Sequence, residues 1–273
     1  MRVFVTGHRG RLGPSVVNEL KKDYKVVGYD LREKNNMLDY KRVKRKMAGC
    51  DYVVHVAAIP GPKRGEVDDY YMTNIQCSYN VMRAAMENKV KRFIFFSSVG
   101  YYGSNIDGKL FPLYLPLDES HPVASLPGLS EGKLDVYCQS KVVCEELLAW
   151  FGRNRFFEAV ALRFGAVLPK SVMYKPGWEQ KKDVYRKGSF WANCHPSNVP
   201  QAVRLALEAD GPFWYEAFNI VDKHTPKQVD VKAFLRKEYP DVKLKNTYRE
   251  GLSLVSPQKA ETVLGFKPCE EVE

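Results

Sequence analysis

The chain has 273 residues, of which 45% are hydrophobic and 27% are charged, and its formal net charge is +10 at pH 7. This length allows one large domain or a main domain with a smaller lobe, and no apolar run is long enough to span a membrane. Neither a signal-peptide nor a transit-peptide pattern opens the sequence, so we expect a cytoplasmic protein without a membrane partner.

Short apolar strands alternate with helical segments through the first half of the chain. The predicted strands are 2–6, 25–29, 52–56, 92–97 and 159–163, and the predicted helices are 14–22, 40–48, 71–88 and 135–151. Continuous apolar strands separated by helices are typical of a parallel sheet that is covered on both faces. We therefore predict an α/β fold with a doubly wound parallel sheet, whose ligands bind beyond the carboxyl ends of the strands.

The alternation weakens after Phe164. A polar and irregular segment, 174–190, is followed by a predicted helix at 198–209, a strand at 218–221 and short helices at 232–237 and 257–264. We predict a main domain at 1–165, with its sheet completed by about residues 216–222. Residues 166–273 would then form mainly a small C-terminal lobe.

Basic residues are concentrated at 41–46 and 175–187, and neither run contains the aromatic residues or motifs of a nucleic-acid-binding protein. The first run is typical of a solvated helix face, whereas the second could contact an anionic small substrate. The six cysteines are scattered without a C-x-x-C pair. We therefore predict no nucleic-acid partner, no metal site and no disulfide scaffold.

Three glycines lie between the first strand and the first helix. In the segment TGHRGRLG they are Gly7, Gly10 and Gly13. Glycines at this junction permit a tight turn and a close approach of the backbone to a ligand, and the helix N-terminus leaves N–H groups free for a phosphate. A glycine triplet alone is weak evidence, because an ordinary tight turn has the same composition.

Asp30 ends the second strand, in the segment VVGYD. An acid at this position of a dinucleotide-binding fold accepts hydrogen bonds from the adenosine ribose and repels the 2′-phosphate of NADP. Arg9 and Arg32 are nearby in sequence and could pair with such a phosphate. The sequence therefore favours NAD and leaves NADP open.

Tyr137 and Lys141 are four residues apart on a predicted helix and share one face. A neighbouring ammonium group lowers the pKa of a phenol, and a positively charged nicotinamide would lower it further, so the tyrosine could act as a general base. Ser98 ends the fourth strand, from which its hydroxyl could hold a substrate oxygen. Each of these residues would be unremarkable alone.

Together, the motifs make the chain similar to the extended short-chain dehydrogenase/reductase family, in its NAD-dependent sugar epimerase/dehydratase group. The motifs are TGHRGRLG, VVGYD, HVAA, SSVGYYG, YCQSK and LRFGAVLP, in that order. The resemblance implies a Rossmann fold, NAD as cofactor, and catalysis by Ser98, Tyr137 and Lys141. It places at the cofactor Gly7, Arg9, Gly10, Gly13, Asp30, Asn36, Met37, Ala57, Ala58, Asn74, Tyr137 and Lys141.

The resemblance further implies hydride transfer at a secondary alcohol of a sugar or sugar derivative. The compact region after LRFGAVLP, and Asn198 where the family usually has aspartate, favour a small unactivated sugar. A nucleotide-sugar 4-epimerase or dehydratase is the alternative, followed by a catalytically silent NAD(P) sensor. His195 is a candidate second acid or base, although such a histidine more commonly packs in a loop.

Two predicted helices have more apolar residues than one buried stripe requires. These residues are Tyr71, Ile75, Tyr79, Val81, Met82, Val142, Val143, Leu147, Leu148 and Trp150. Relatives commonly dimerise through these helices, so we expect a homodimer with a two-fold axis. In the alternative, the long loop at 104–132 covers the helices within one subunit.

Overall fold

A computed structural model describes residues 1–61, 66–103, 110–123, 125–129, 135–168, 190–225 and 230–269. The basic segment at 175–187 lies outside these residues, as do positions 104–109, 124 and 130–132 of the loop at 104–132. Within the described part of the chain, no helix is both long and apolar enough to cross a membrane.

The core of the molecule is a six-stranded parallel sheet. Its strands are β1 (Arg2–Thr6), β2 (Lys25–Tyr29), β3 (Tyr52–His55), β4 (Arg92–Ser98), β6 (Glu158–Phe164) and β9 (Glu216–Ile220). Their order across the sheet is β2-β1-β3-β4-β6-β9. Every pairing within the sheet is parallel. The order runs outward from β1 in both directions, which is the doubly wound arrangement that the alternating pattern predicts.

Helices cover both faces of this sheet. They are α1 (Gly13–Leu20), α2 (Tyr40–Met47), α3 (Val67–Tyr70), α4 (Cys77–Glu87), α5 (Val136–Arg153), α6 (Asn198–Glu208), α7 (Val231–Glu238) and α8 (Gln258–Leu264). Side chains of α1, α6 and α8 pack with Ile94 and Phe96 on one face, and those of α2, α4 and α5 pack with Phe93 and Phe95 on the other. Because successive side chains of a strand point to opposite faces, β4 is apolar at every position of its middle part, from Phe93 to Phe96.

The C-terminal part contributes one strand to the sheet and forms a separate small cluster. β9 pairs with β6. Beside the sheet lie the short pairs β5 (Tyr114–Leu115) with β10 (Lys243–Leu244), and β7 (Ala166–Val167) with β8 (Asn193–Cys194). Phe190, Trp191 and Phe234 pack in a third apolar cluster with residues of α7. The domain limits at 165 and 166 remain a prediction.

One predicted helix differs from its expected form. The segment predicted as a single helix at 71–88 consists of a π-helix, Tyr71–Gln76, followed by α4. A π-helical turn inserts one extra residue per turn and is frequent at functional sites. Asn74, one of the predicted cofactor residues, lies within it.

Candidate active site

The glycine segment forms a tight turn at the carboxyl end of β1. Gly7 has φ +66°, and a Cβ atom built on it would lie 2.8 Å from the Ala57 Cα atom. A Cβ on Gly13 would lie 2.2 Å from the Gly7 carbonyl oxygen, so larger residues are excluded at both positions. Gly13 is also the first residue of α1. This bare backbone at a helix N-terminus has the form of a pyrophosphate cradle and fits a dinucleotide.

Asp30 lies beside the glycine turn, at the end of β2. Its two carboxylate oxygens accept hydrogen bonds from the backbone N–H groups of Arg9 (3.0 Å) and Arg32 (2.9 Å). Each carboxylate oxygen retains acceptor capacity, so the group can also accept the hydroxyls of a ribose. Asp30 therefore braces the glycine turn and fits the ribose position predicted for it.

Asn36 and Met37 are held in place by their backbone carbonyl groups. The Tyr29 hydroxyl donates to the Asn36 carbonyl (3.0 Å), and the Asn80 side chain donates to the Met37 carbonyl (2.9 Å). The Asn36 side chain accepts the N–H of Leu38 at 2.9 Å. These bonds fix the loop after β2, where the family places the adenine.

Ser98 and Tyr137 meet at the carboxyl end of β4. Burial raises the pKa of Tyr137 to about 12, although the nearby Ser98 hydroxyl lowers it in part. The Ser98 Oγ atom accepts the Gly100 N–H at 3.0 Å. Tyr137 is therefore a protonated phenol beside a serine hydroxyl.

Lys141 is buried on the same helix as Tyr137. Its ammonium group donates to the Phe96 carbonyl oxygen at 2.7 Å and lies 5.7 Å from the centre of the Tyr137 ring. Burial lowers the pKa of Lys141 to about 8. At neutral pH the lysine is mainly protonated, so its charge favours ionisation of the phenol.

A buried ion pair between Glu145 and Arg163 lies next to Ser97, the residue before Ser98. Ser97 donates to the Glu145 carboxylate, which also pairs with the Arg163 guanidinium at 2.8 Å. The Tyr215 hydroxyl donates to the same carboxylate at 2.8 Å, and Arg163 donates to the Tyr102 hydroxyl at 2.9 Å. Ser97 is thus engaged in the core, and Ser98 is the serine that contacts Tyr137.

This ion pair is not among the residues predicted from sequence, since only Glu145 has a local signal. It follows Lys141 by four residues and lies on the same side of α5.

Asn74 connects the loop after β3 with α5, the helix that carries Tyr137 and Lys141. Its side-chain oxygen accepts the Ile59 N–H at 2.8 Å, and its amide group donates to the Ser140 hydroxyl at 3.0 Å. Ser140 is adjacent to Lys141. These contacts fix the loop after β3 against the helix that carries Tyr137 and Lys141.

His55 links the glycine turn to the π-helix through a directional chain of hydrogen bonds. The Ser78 hydroxyl donates to the Asn74 carbonyl oxygen, so it must accept from His55 Nε2 at 2.9 Å. His55 Nδ1 then accepts from the Thr6 hydroxyl at 2.6 Å, and Thr6 accepts the Ala57 N–H at 3.3 Å. This arrangement requires a neutral imidazole.

The neutral state of His55 gives a testable pH dependence. Burial, together with the Lys141 charge, lowers the pKa of His55 from 6.5 to about 3. Between these values the unfolded chain binds the proton and the folded chain does not, so acidification lowers the free energy of unfolding. We expect denaturant titrations between pH 7 and 4 to show a smaller loss for His55→Gln than for the wild type. An equal loss in both proteins would contradict this account.

His195 and Asn198 are held by structural contacts. His195 donates its backbone N–H to Asp222 at 2.8 Å, and its Nδ1 atom lies 2.7 Å from the Ser197 hydroxyl. The buried Asn198 side chain donates to Asp222 at 2.9 Å and accepts the Cys269 N–H at 2.9 Å. These contacts favour the loop-packing interpretation of His195 over a second acid or base.

Comparison with known proteins identifies the family. Residues 3–174 match the NAD dependent epimerase/dehydratase family, a span of more than half of the chain. The chain belongs to this family. The resemblance predicted from the motifs is confirmed, as is the prediction of an NAD-dependent class of enzyme.

Two curated family relatives match over most of the chain. An L-arabinose 1-dehydrogenase (NAD(P)(+)) from Haloferax volcanii is 26% identical over 243 residues, which cover 86% of this chain and 93% of the relative. An N-acetyl-alpha-D-glucosaminyl-diphospho-ditrans,octacis-undecaprenol 4-epimerase from Escherichia coli O157:H7 is 25% identical over 272 residues, covering 89% and 75%.

The fold is also found in solved structures. A short-chain dehydrogenase/reductase superfamily protein from Agrobacterium tumefaciens, crystallised with bound NAD, superimposes with a TM-score of 0.72 at 20% identity. The alignment covers 98% of this chain and 93% of that one. This similarity confirms the predicted Rossmann-type fold.

Proposed function

We propose that the protein is an NAD-dependent sugar dehydrogenase that transfers hydride at a hydroxyl-bearing sugar carbon. The observation that supports this most is the position of Ser98, Tyr137 and buried Lys141. They lie at the carboxyl edge of the sheet that also carries the glycine turn and Asp30. A hydroxyl pair and a cation therefore share one edge with a dinucleotide cradle.

Each of the three residues has a separate role in this proposal. The charges of Lys141 and of the nicotinamide in bound NAD would lower the pKa of the Tyr137 phenol, so that it gives up its proton to solvent and, as phenolate, can take the proton of the substrate hydroxyl. Ser98, beside Tyr137, would orient the substrate oxygen. Lys141 would also reach the cofactor ribose. When bound, NAD supplies the acceptor for the hydride. Gly7, Gly10, Gly13 and Asp30 would hold it, with Arg9, Asn36, Met37, Ala57, Ala58 and Asn74 around them.

A small unactivated sugar is the proposed substrate. The Haloferax volcanii relative is an L-arabinose dehydrogenase by name, and this chain spans 93% of its length. A nucleotide-sugar 4-epimerase remains the second candidate. The Escherichia coli relative, which also matches over most of this chain, supports the epimerase reaction by name, although its named substrate is a sugar linked by a diphosphate to a lipid. The proposed biological role of the protein is in carbohydrate metabolism.

Steady-state absorbance at the NADH band, with NAD and a panel of free and nucleotide-linked sugars, tests the proposal. A dehydrogenase accumulates NADH with a free sugar. An epimerase converts a nucleotide sugar without accumulating NADH. A silent sensor binds the cofactor and does neither, which would contradict both enzymatic proposals.

The two serines of β4 provide a paired prediction. Ser98→Ala removes the hydroxyl that contacts Tyr137, so we expect turnover to fall by about tenfold or more with little change in stability. Ser97→Ala leaves the buried Glu145 with one donor fewer, so we expect the free energy of unfolding to fall by about 1–3 kcal/mol. Steady-state kinetics and denaturant titration of both variants decide between the serines, and the reverse pattern would assign Ser97 to the site.

We also propose a homodimer through α5 and the segment containing the π-helix. Tyr71 is 47% exposed, Tyr79 38% and Trp150 54%, which leaves large apolar side chains in water. Four other residues predicted for this surface are buried in the subunit's own core, namely Val81, Met82, Val142 and Leu148. The interface is therefore narrower than the sequence pattern indicates.

Sedimentation at low micromolar concentration tests the dimer. We expect a dimer that Trp150→Glu converts to a monomer, because a charge in the interface would be buried without a partner. A monomeric wild type, with or without NAD, would contradict the interface.

A cytoplasmic location remains the expected one. The six cysteines are all free thiols, and five of them are buried. Unpaired cysteines are usual in a reducing compartment.

A further inference from the structure

The glycine turn carries a charge arrangement that the proposed roles above do not use. Glu33 ends a short 3₁₀ turn, Leu31–Glu33, directly after Asp30. Its Oε1 atom lies 2.9 Å from Arg9 Nε and 3.4 Å from His8 Nε2. Glu33 therefore draws together two basic side chains of the glycine turn.

The other arginine near Asp30 is also engaged. The Arg32 side chain donates to the Arg9 carbonyl oxygen, while its backbone N–H donates to Asp30. The Arg32 guanidinium thus contacts a neutral carbonyl oxygen, whereas the Arg9 guanidinium is paired with the Glu33 carboxylate. A dianionic 2′-phosphate entering here would meet an Arg9 side chain that is already paired with a carboxylate.

We propose that Glu33 is a cofactor-specificity residue that withholds Arg9 from the 2′-phosphate of NADP. The inference rests on the proposed function, since it concerns the adenosine end of the same cofactor. Asp30 disfavours the phosphate by like-charge repulsion, whereas Glu33 acts by occupying the cation that would compensate for it. The 2′-hydroxyl of NAD needs no such cation, so the pairing does not reduce NAD binding.

The exposure of these two side chains sets the size of the effect. The Arg9 side chain is 57% exposed and that of Glu33 34%, so their pair opposes the phosphate by the modest free energy of a surface ion pair. The guanidinium of Arg9 can then turn to a phosphate, which it would bind through charge-assisted hydrogen bonds. Removing the Glu33 charge should be enough to release it.

Calorimetric titration of the full chain with NAD⁺ and with NADP⁺ tests the proposal. The wild type should bind NAD⁺ more tightly. In Glu33→Gln, which keeps the side-chain size, the affinity for NADP⁺ relative to NAD⁺ should rise by about twofold to fivefold, the value of one exposed ion pair. The gain should disappear in the double variant Arg9→Ala, Glu33→Gln.

A matched control removes an ion-paired glutamate elsewhere. Glu87→Gln breaks the pairs with Lys44 (2.7 Å) and Arg83 (3.1 Å) and changes net charge equally, so it should leave the affinity ratio unchanged. An unchanged ratio in Glu33→Gln would overturn the inference while the proposed function stands. The same holds for a gain that persists without Arg9. A wild type that binds neither cofactor would overturn the proposed function and the inference together.

Discussion

Tyr137→Phe should reduce turnover by about 10²-fold or more, because the variant has lost the group that takes the substrate proton. The Tyr137 hydroxyl lies near Ser98 at the end of β4, and burial raises its pKa to about 12. The aromatic ring and its packing remain in phenylalanine. We therefore expect the affinity for NAD to change little, and steady-state kinetics together with cofactor titration measure the two quantities separately.

A second tyrosine provides the control for this result. Tyr52 begins β3, which pairs with β1. It therefore lies at the amino ends of the strands, whereas the glycine turn lies at their carboxyl ends. Tyr52→Phe should keep near-native turnover. If Tyr137→Phe also kept it, another group would be the base and the catalytic assignment would be wrong.

Arg163→Leu should lower the free energy of unfolding by about 3–5 kcal/mol, because it leaves a buried carboxylate without its counter-charge. Only 3% of the Arg163 side chain is exposed, and Glu145 is fully buried at 0%. The guanidinium also lies 3.5 Å from the centre of the Tyr101 ring, so leucine cannot replace its contacts. Denaturant titration measures the loss.

Two further variants separate the charge effect from simple loss of packing. Adding Glu145→Gln to Arg163→Leu removes the orphaned charge and should recover part of the stability. Arg83→Leu breaks an exposed ion pair with Glu87 and should cost far less stability than Arg163→Leu. A loss in Arg163→Leu no larger than in Arg83→Leu would contradict the buried-charge explanation.

The sheet could be predicted from sequence because each of its strands is a short apolar run. β1 and β2 have the predicted limits, and other elements end within two residues of them, as at β6 (Glu158–Phe164). The glycine turn was also readable, since a Cβ on Gly7 or Gly13 would collide with backbone atoms. Such local steric requirements leave a direct mark on residue type.

Features that depend on contacts between residues far apart in the sequence could not be predicted in this way. The π-helix has no local sequence signal, and Glu145 and Arg163 meet only because α5 packs on β6. The same is true of Glu33, which reaches Arg9 only when β1 and β2 are side by side. Helical periodicity likewise overstated the exposed apolar surface of α5, because Leu148 packs into the core under that helix.

The central claim is that Tyr137 supports hydride transfer between a sugar and nicotinamide. The most direct test mixes NAD and a panel of free and nucleotide-linked sugars with an equal concentration of enzyme, and follows the NADH band during a single turnover. A dehydrogenase and an epimerase both pass through reduced nicotinamide, so the account predicts its appearance with at least one sugar in the wild type. Tyr137→Phe should form it at least about 10²-fold more slowly. A wild type that binds NAD and forms no reduced nicotinamide with any sugar, or a variant that forms it at the wild-type rate, would contradict the account.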